Sequence, residues 1–218
     1  MYYPSDINVL IACEESQVEM KAFRARGFNA FSCDLQKHAR GGEPKYHIRG
    51  DVSALLNGRS TFQTMDGHDW RLPGWDLIIA HPPCTYLCKV GSVHMWKDGQ
   101  LDEERYAKMW EARTFFMKCY EAKAPFVAVE NPLPMARAKL PKPDAFVEPN
   151  WYGSGFTKKT LYWLRNLPPL MPEVINPDTK EFVRASRGKY RSRTFQGVAE
   201  AMAKQWGDYI LDVMNTDV

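Results

Sequence analysis

The sequence predicts an α/β fold, a mostly parallel central sheet with helices on both faces. Three observations predict it. Apolar runs at 7–13, 77–80 and 125–129 are too short for helices and lack the alternation of half-solvated strands, as expected of strands buried on both faces. Segments with apolar residues at helical spacing lie between and after them, at 17–26, 101–122 and 194–214. Two of the runs close on a polar group and a proline, His81-Pro82-Pro83-Cys84 and Glu130-Asn131-Pro132. Proline fixes φ and cannot donate to a sheet ladder, so it ends a strand.

Taken in order, the run 7–13 is a strand broken by Glu14-Glu15-Ser16. The helix 17–26 offers Val18, Met20, Ala22 and Phe23 to the core and ends at Gly27, a residue tolerant of positive φ. A second strand at 28–33 closes on Asp34, which completes a βαβ unit. The polar stretch 36–48 reads as a loop or weak helix, 53–56 as a short helix, and 57–73 as a hairpin-like insertion or loop. Residues 88–100 mix glycines with basic and aromatic side chains and read as a mobile loop beside Cys84. The helix 101–122 starts with Asp102, Glu103 and Glu104, which suit its positive end. A proline- and lysine-rich extended stretch at 135–149 precedes a glycine turn and a strand within 150–164. Proline-rich coil at 166–178 and a basic loop at 184–193 lead to the last helix, with Val198, Met202, Trp206, Ile210 and Val213 on one face. No repeat or domain boundary is visible, so residues 1–218 read as one domain.

Composition narrows the class. The 218 residues are 44% hydrophobic and 25% charged, ordinary for a globular protein with a substantial core. The net charge of +3 gives no global field pointing to nucleic acid, which leaves only local patches. No apolar run approaches membrane-spanning length. Five scattered cysteines and a first segment unlike a secretory leader predict a reduced, cytoplasmic protein.

Cys84 would stand at the carboxyl end of a buried strand, the edge where open α/β sheets place their chemistry, and is the candidate nucleophile. Glu130 would stand at the same edge if the two strands are parallel neighbours. Asp34, at the end of the second strand, sits where nucleotide-binding folds hold ribose hydroxyls. Two other classes are compatible with parts of this pattern. His81, Cys84, Cys88 and His94 could be read as a zinc site, although the spacing departs from that of zinc nucleobase deaminases. A non-catalytic protein of the same fold that binds nucleic acid or protein is the other.

In order, these motifs resemble the DNA cytosine-5 methyltransferase family. The match rests on His81-Pro82-Pro83-Cys84 against the family's Pro-Pro-Cys nucleophile motif, and on Glu130-Asn131 against its Glu-Asn-Val. It extends to Gly50-Asp51-Val52 against a Gly-Asp-Ile that contacts the cofactor adenine, and to Lys158-Lys159 on a degenerate form of its arginine strand. The resemblance implies a Rossmann-like class I methyltransferase fold that uses S-adenosyl-L-methionine (SAM) to methylate C5 of cytosine through a covalent cysteine adduct. It implies Cys84, Glu130, Lys158 and Lys159 as catalytic residues. It also implies cofactor contacts at Cys13, Glu14, Glu15, Ser16, Asp34, Leu35, Asp51, Val52 and Pro82. The implied partner is DNA, duplex or single-stranded, or a free pyrimidine nucleotide, and the pattern suggests a phage or mobile-element enzyme.

The chain departs from the family at named positions. The first loop, Cys13-Glu14-Glu15-Ser16, contains no glycine, Thr85 replaces a glutamine, and lysines replace paired arginines. The stretch between the lysine strand and the basic loop is too short for a large target-recognition domain. Arg184, Arg187, Lys189, Arg191 and Arg193 are the expected phosphate contacts.

Overall fold

The computed structural model describes residues 1–182 and 193–216. The expected basic loop, apart from Arg193, lies outside the described residues. The chain forms the strands β1 (Asn8–Ala12), β2 (Asn29–Asp34), β3 (His47–Arg49), β4 (Thr61–Gln63), β5 (Asp69–Arg71), β6 (Leu77–Ala80), β7 (Trp96–Lys97), β8 (Gln100–Leu101), β9 (Phe126–Asn131), β10 (Ala145–Val147), β11 (Phe156–Thr157), β12 (Thr160–Arg165) and β13 (Lys180–Glu181). The helices used below are α1 (Val18–Ala25), α2 (Ser53–Leu56), α3 (Glu103–Tyr120) and α4 (Gln196–Thr216).

Seven strands form the central sheet in the order β10-β12-β9-β6-β1-β2-β3. All neighbours are parallel except those of β12, which runs against both β9 and β10. Five strands thus follow the 3-2-1-4-5 order of a doubly wound nucleotide-binding sheet, with a reversed strand inserted at the far edge. Strand alternation explains the continuous apolar runs. On β6, Leu77 and Ile79 enter one apolar layer while Ile78 and Ala80 enter the other. Met20 and Phe23 of α1 pack in the first layer with Val198, Met202, Trp206 and Ile210 of α4. Leu55 and Leu56 of α2 share the second with Met109 and Phe116 of α3. The expected α/β architecture with a mostly parallel sheet is present.

Local signals account for the helix limits. Asp102 caps α3, its carboxylate accepting the Arg105 N–H at 2.9 Å. Gly27 follows α1 with φ +88°, the left-handed conformation that a Cβ disfavours. The hairpin expected within 57–73 is β4–β5.

Two readings need correction. The stretch 36–48 was expected to be loop or weak helix, yet its end belongs to β3, which adds an edge strand with Ile48 in the core. One apolar residue among three gives no periodic signal. The stretch 88–100 is structured as a 3-10 turn at Lys89–Met95 and the β7–β8 hairpin, anchored by the buried Met95. Among the described residues no helix is long and apolar enough to cross a membrane.

Candidate functional site

Strands β1 and β6 are adjacent and parallel, and the chain leaves them toward opposite faces: β1 leads to α1, β6 toward α3. Their carboxyl ends therefore part, and the crevice between them is where open α/β sheets bind ligands. A cleft of about 520 Å³ opens there. Its floor comes from the ends of four strands: Cys13 and Glu14 after β1, Asp34 of β2, His81 to Cys84 after β6, and Glu130 of β9. Lys158 and Thr194 close the far side.

The loop after β1 takes its shape without glycine. Cys13 and Gln17 both adopt φ of +60°, a conformation non-glycine residues hold only when their surroundings enforce it. The fully buried Gln17 side chain supplies that enforcement. Its amide donates to Ser32 Oγ at 3.0 Å and to the Glu43 carbonyl at 3.1 Å, and accepts the Glu43 N–H at 2.6 Å. Between the two kinks the Glu14 carboxylate turns onto the start of α1. It accepts the N–H groups of Glu19 at 2.9 Å and Met20 at 3.4 Å and the Ser16 hydroxyl at 3.1 Å. Burial and the neighbouring Glu19 outweigh these bonds and push the Glu14 carboxyl up to about 7. Asp34 is fixed at the mouth of the cleft by the Gln36 N–H, 2.8 Å from its Oδ1.

At the other side, Cys84 opens a single helical turn closed by the Cys88 N–H donating to the Cys84 carbonyl at 2.9 Å. The turn brings the two thiols together. Interaction with the neighbouring Cys88, burial and the nearby Glu130 hold the Cys84 thiol far above its usual range. The same interaction pulls Cys88 down to about 6, aided by the Gly91 N–H and Arg105. Lys158 acts on Glu130, favouring its ionised form.

Three elements meet at His81, itself fixed by its N–H bond to the Ala12 carbonyl at 2.9 Å. Its Nε2 lies 2.8 Å from Glu19 Oε2 and its Nδ1 3.3 Å from Glu130 Oε2. Thr194 donates to the other oxygen of Glu19 at 2.6 Å. Burial pulls the imidazole pKa down, but the attraction of Glu19 and Glu130 is stronger and holds it well above 6.5. Burial pushes Glu130 up, and its bond to His81 with the charge of Lys158 more than offsets this, leaving it below the usual carboxylate range.

The structure brings together Cys84, Glu130 and Lys158 with Cys13, Glu14, Glu15, Ser16, Asp34 and Pro82. Others stand apart. Lys159 points away, its Nζ 4.1 Å above the Phe146 ring, because neighbouring residues of an extended chain face opposite sides. Leu35 is solvent-exposed, Asp51 accepts the Ser53 N–H at 2.7 Å at the start of α2, and Val52 is buried in the second apolar layer. Sequence reasoning missed Glu19 and Thr194 and read His81 only as a member of the nucleophile motif or as a zinc ligand. Glu19 carried a signal: it lies four residues before Phe23 and next to Met20, on the face of α1 that meets the sheet.

Of the residues of the zinc reading, His81, Cys84 and Cys88 are neighbours but His94 is not. His94 lies in a separate hollow with Tyr86 and Trp96, and among the described residues no group of three or more His, Cys, Asp or Glu is placed to hold a metal ion. A search of protein-family models finds no match for the chain, and no curated protein matches it.

Proposed function

We propose that the protein is a class I SAM-dependent methyltransferase that transfers a methyl group to C5 of a cytosine ring, with Cys84 as nucleophile. The observation that carries this reading is the convergence of Cys84 after β6, Glu130 of β9 and Lys158 on one cleft, beside the acids Asp34 and Glu14 of the adjoining loops. Two half-sites, one for a ring and one for a charged nucleoside cofactor, share that cleft.

The residues present fit the cofactor. A buried carboxyl raised to about 7, as Glu14 is, favours a cation beside it, and the ammonium of the methionine moiety is one. Asp34 offers acceptors for ribose hydroxyls. When bound, SAM supplies the electrophilic methyl group. The chain's own residues prepare the ring. Cytosine C5 is a weak carbon nucleophile, and addition of Cys84 sulfur to C6 gives it enamine character. Cys88, lowered to about 6 by its interaction with Cys84, is the recipient for the thiol proton. Glu130 meets the ring nitrogen N3 and the exocyclic amine, where charge changes as sulfur adds. Lys158 holds the ring carbonyl or a phosphate. Loss of the C5 proton to solvent water in the open cleft, with Cys84 leaving as the thiolate, then restores the ring.

The test offers methyl-labelled SAM with deoxycytidine monophosphate, mixed-sequence single-stranded DNA or duplex DNA. Label should reach at least one of the three with the wild type and fall by more than about 1,000-fold with Cys84→Ser. The 5-fluoro analogue of the accepted substrate should leave a covalent adduct on Cys84, readable by mass, because fluorine cannot depart as a cation. Full activity in Cys84→Ser, or no label on any acceptor, refutes the reading.

A further inference from the structure

Resting on the reading that Glu130 meets N3 of a cytosine ring, we propose that His81 is the proton reservoir of the site, lending its Nδ1 proton to Glu130 for delivery to N3 and taking it back when the ring is restored. His81 touches no substrate in this account. It acts through Glu130 and is a positioning residue.

The geometry gives the reasons. Both ring nitrogens of His81 face carboxylate oxygens, Nε2 to Glu19 and Nδ1 to Glu130. A neutral imidazole has one N–H and would leave one of these contacts without a proton, so the two-acceptor setting calls for the cation. Glu19 has no access to solvent and is committed, with His81 on one oxygen and Thr194 on the other. Glu130 is the exit, since it lines the cleft and Glu19 does not.

The chemistry needs such a reservoir. As Cys84 sulfur supplies the electron pair of the new bond to C6, the C5–C6 π pair moves to C4–C5 and the C4–N3 pair moves onto N3, which must take a proton. Glu130 is held ionised by His81 and Lys158 and has no proton of its own to give at neutral pH. One proton passes from Nδ1 to the carboxylate and on to N3. While the proton sits on Glu130, its O–H donates back to Nδ1, so the contact survives with reversed direction and no buried group is orphaned. The C4–C5 pair then forms the bond to the incoming methyl group while the N3 pair restores the C4–N3 double bond. The C5–H pair forms the new C5–C6 double bond as that proton passes to solvent and sulfur leaves with its own pair; N3 releases its proton and the path runs backward. Over a turnover His81 and Glu130 are unchanged, and the one proton released is that of C5.

The groups facing His81 are consistent with this role. Glu19 and Glu14, from α1 and its preceding loop, and Glu130 of β9 act on the ring directly. Beyond them, Lys158 acts on Glu130, Tyr162 lies near Glu130 and Glu19, Thr194 bonds Glu19, and Arg193 lines the same cleft. Three carboxyl groups stand nearest the ring, so the local field favours a proton on it.

The experiment compares wild type with His81→Gln, which keeps an amide donor but cannot carry a proton. In methyl transfer to whichever of the three acceptors is active, kcat should fall about 100-fold near neutral pH. KM and cofactor affinity should stay within about 3-fold, since substrate contacts are untouched. The pH profile should also change. The wild type loses rate only as pH rises well past 6.5, whereas the variant regains rate as pH falls toward the range where Glu130 protonates itself. An unchanged rate and profile in a folded variant overturns the proposal. If the variant does not fold, nitrogen NMR of histidine-labelled wild type decides: His81 should carry protons on both ring nitrogens at pH 7, and a neutral ring overturns the inference. Absence of methyl transfer by the wild type itself counts against the enzyme reading. The NMR result still reports on His81 separately.

Discussion

At the scale of single residues, the two thiols beside the cleft divide their labour. Their interaction raises Cys84 and lowers Cys88 to about 6, so the thiolate of the pair resides on Cys88 near neutral pH, where the Gly91 N–H and Arg105 also favour it. An alkylating agent such as iodoacetamide should therefore modify Cys88 first at pH 7. Cys33 and Cys119 should be inert, since burial raises both to about 12. Cys88→Ser removes the acceptor thiolate and returns Cys84 toward ordinary acidity. Alkylation of Cys84, read by peptide mass mapping, should then quicken by about 10-fold or more. Equal rates at Cys84 in wild type and variant would show that the pair is not coupled. The same change should slow any reaction that needs Cys88 to receive the Cys84 proton.

At the scale of elements, the packing of α4 on α1 and the sheet turns on a glycine. A Cβ built at Gly207 would lie 2.5 Å from the Phe28 ring, itself edge-on to Phe23 of α1. Gly207→Ala gains about 1 kcal/mol of helix propensity but incurs an overpacking cost of about 1–3 kcal/mol, for a net loss near 1 kcal/mol. Thermal melts should show this as a Tm several degrees lower. Adding Phe28→Leu should restore part of it, with a coupling of about 1 kcal/mol in the double-mutant cycle. Simple additivity would place the strain elsewhere. The apolar face of α4 was legible because Val198, Met202, Trp206 and Ile210 repeat at helical spacing. The buried strands were legible for the opposite reason, a short run with no period at all. β3 was illegible: a three-residue edge strand with one buried apolar side chain, Ile48, beside the buried His47 draws its stability from pairing with β2, which no local pattern records.

At the scale of the molecule, the sequence indicated which strand ends carry chemistry but not how they are wired. Cys84 and Glu130 could be placed on one edge from their strand-then-proline pattern, whereas the wiring of Glu130 runs through His81 to Glu19, an acid whose burial is decided by the docking of α1 on the sheet. That wiring makes whole-molecule stability depend on pH. The native Glu14 carboxyl stands at about 7 against 4.5, so the folded chain keeps a proton that the unfolded chain releases as pH rises through this window. His81, held well above 6.5, adds the same sign at its upper end. More protons on the native state means that stability falls with rising pH. Glu130, held below the usual range, works the other way, but only as pH falls below 4.5. The net expectation is a protein most stable in mild acid, losing about 2–3 kcal/mol through Glu14 alone between pH 5 and 8. Glu14→Gln cannot ionise, and its amide oxygen can still accept the Glu19 N–H. The variant should match the wild type near pH 5 and exceed it by about 1–2 kcal/mol at pH 8 in urea unfolding. Its affinity for a cationic cofactor should fall, because the carboxylate that would meet the ammonium is gone. An unfolding midpoint that declines equally with pH in both proteins would place the excess native proton on another group, with His81 the next to examine.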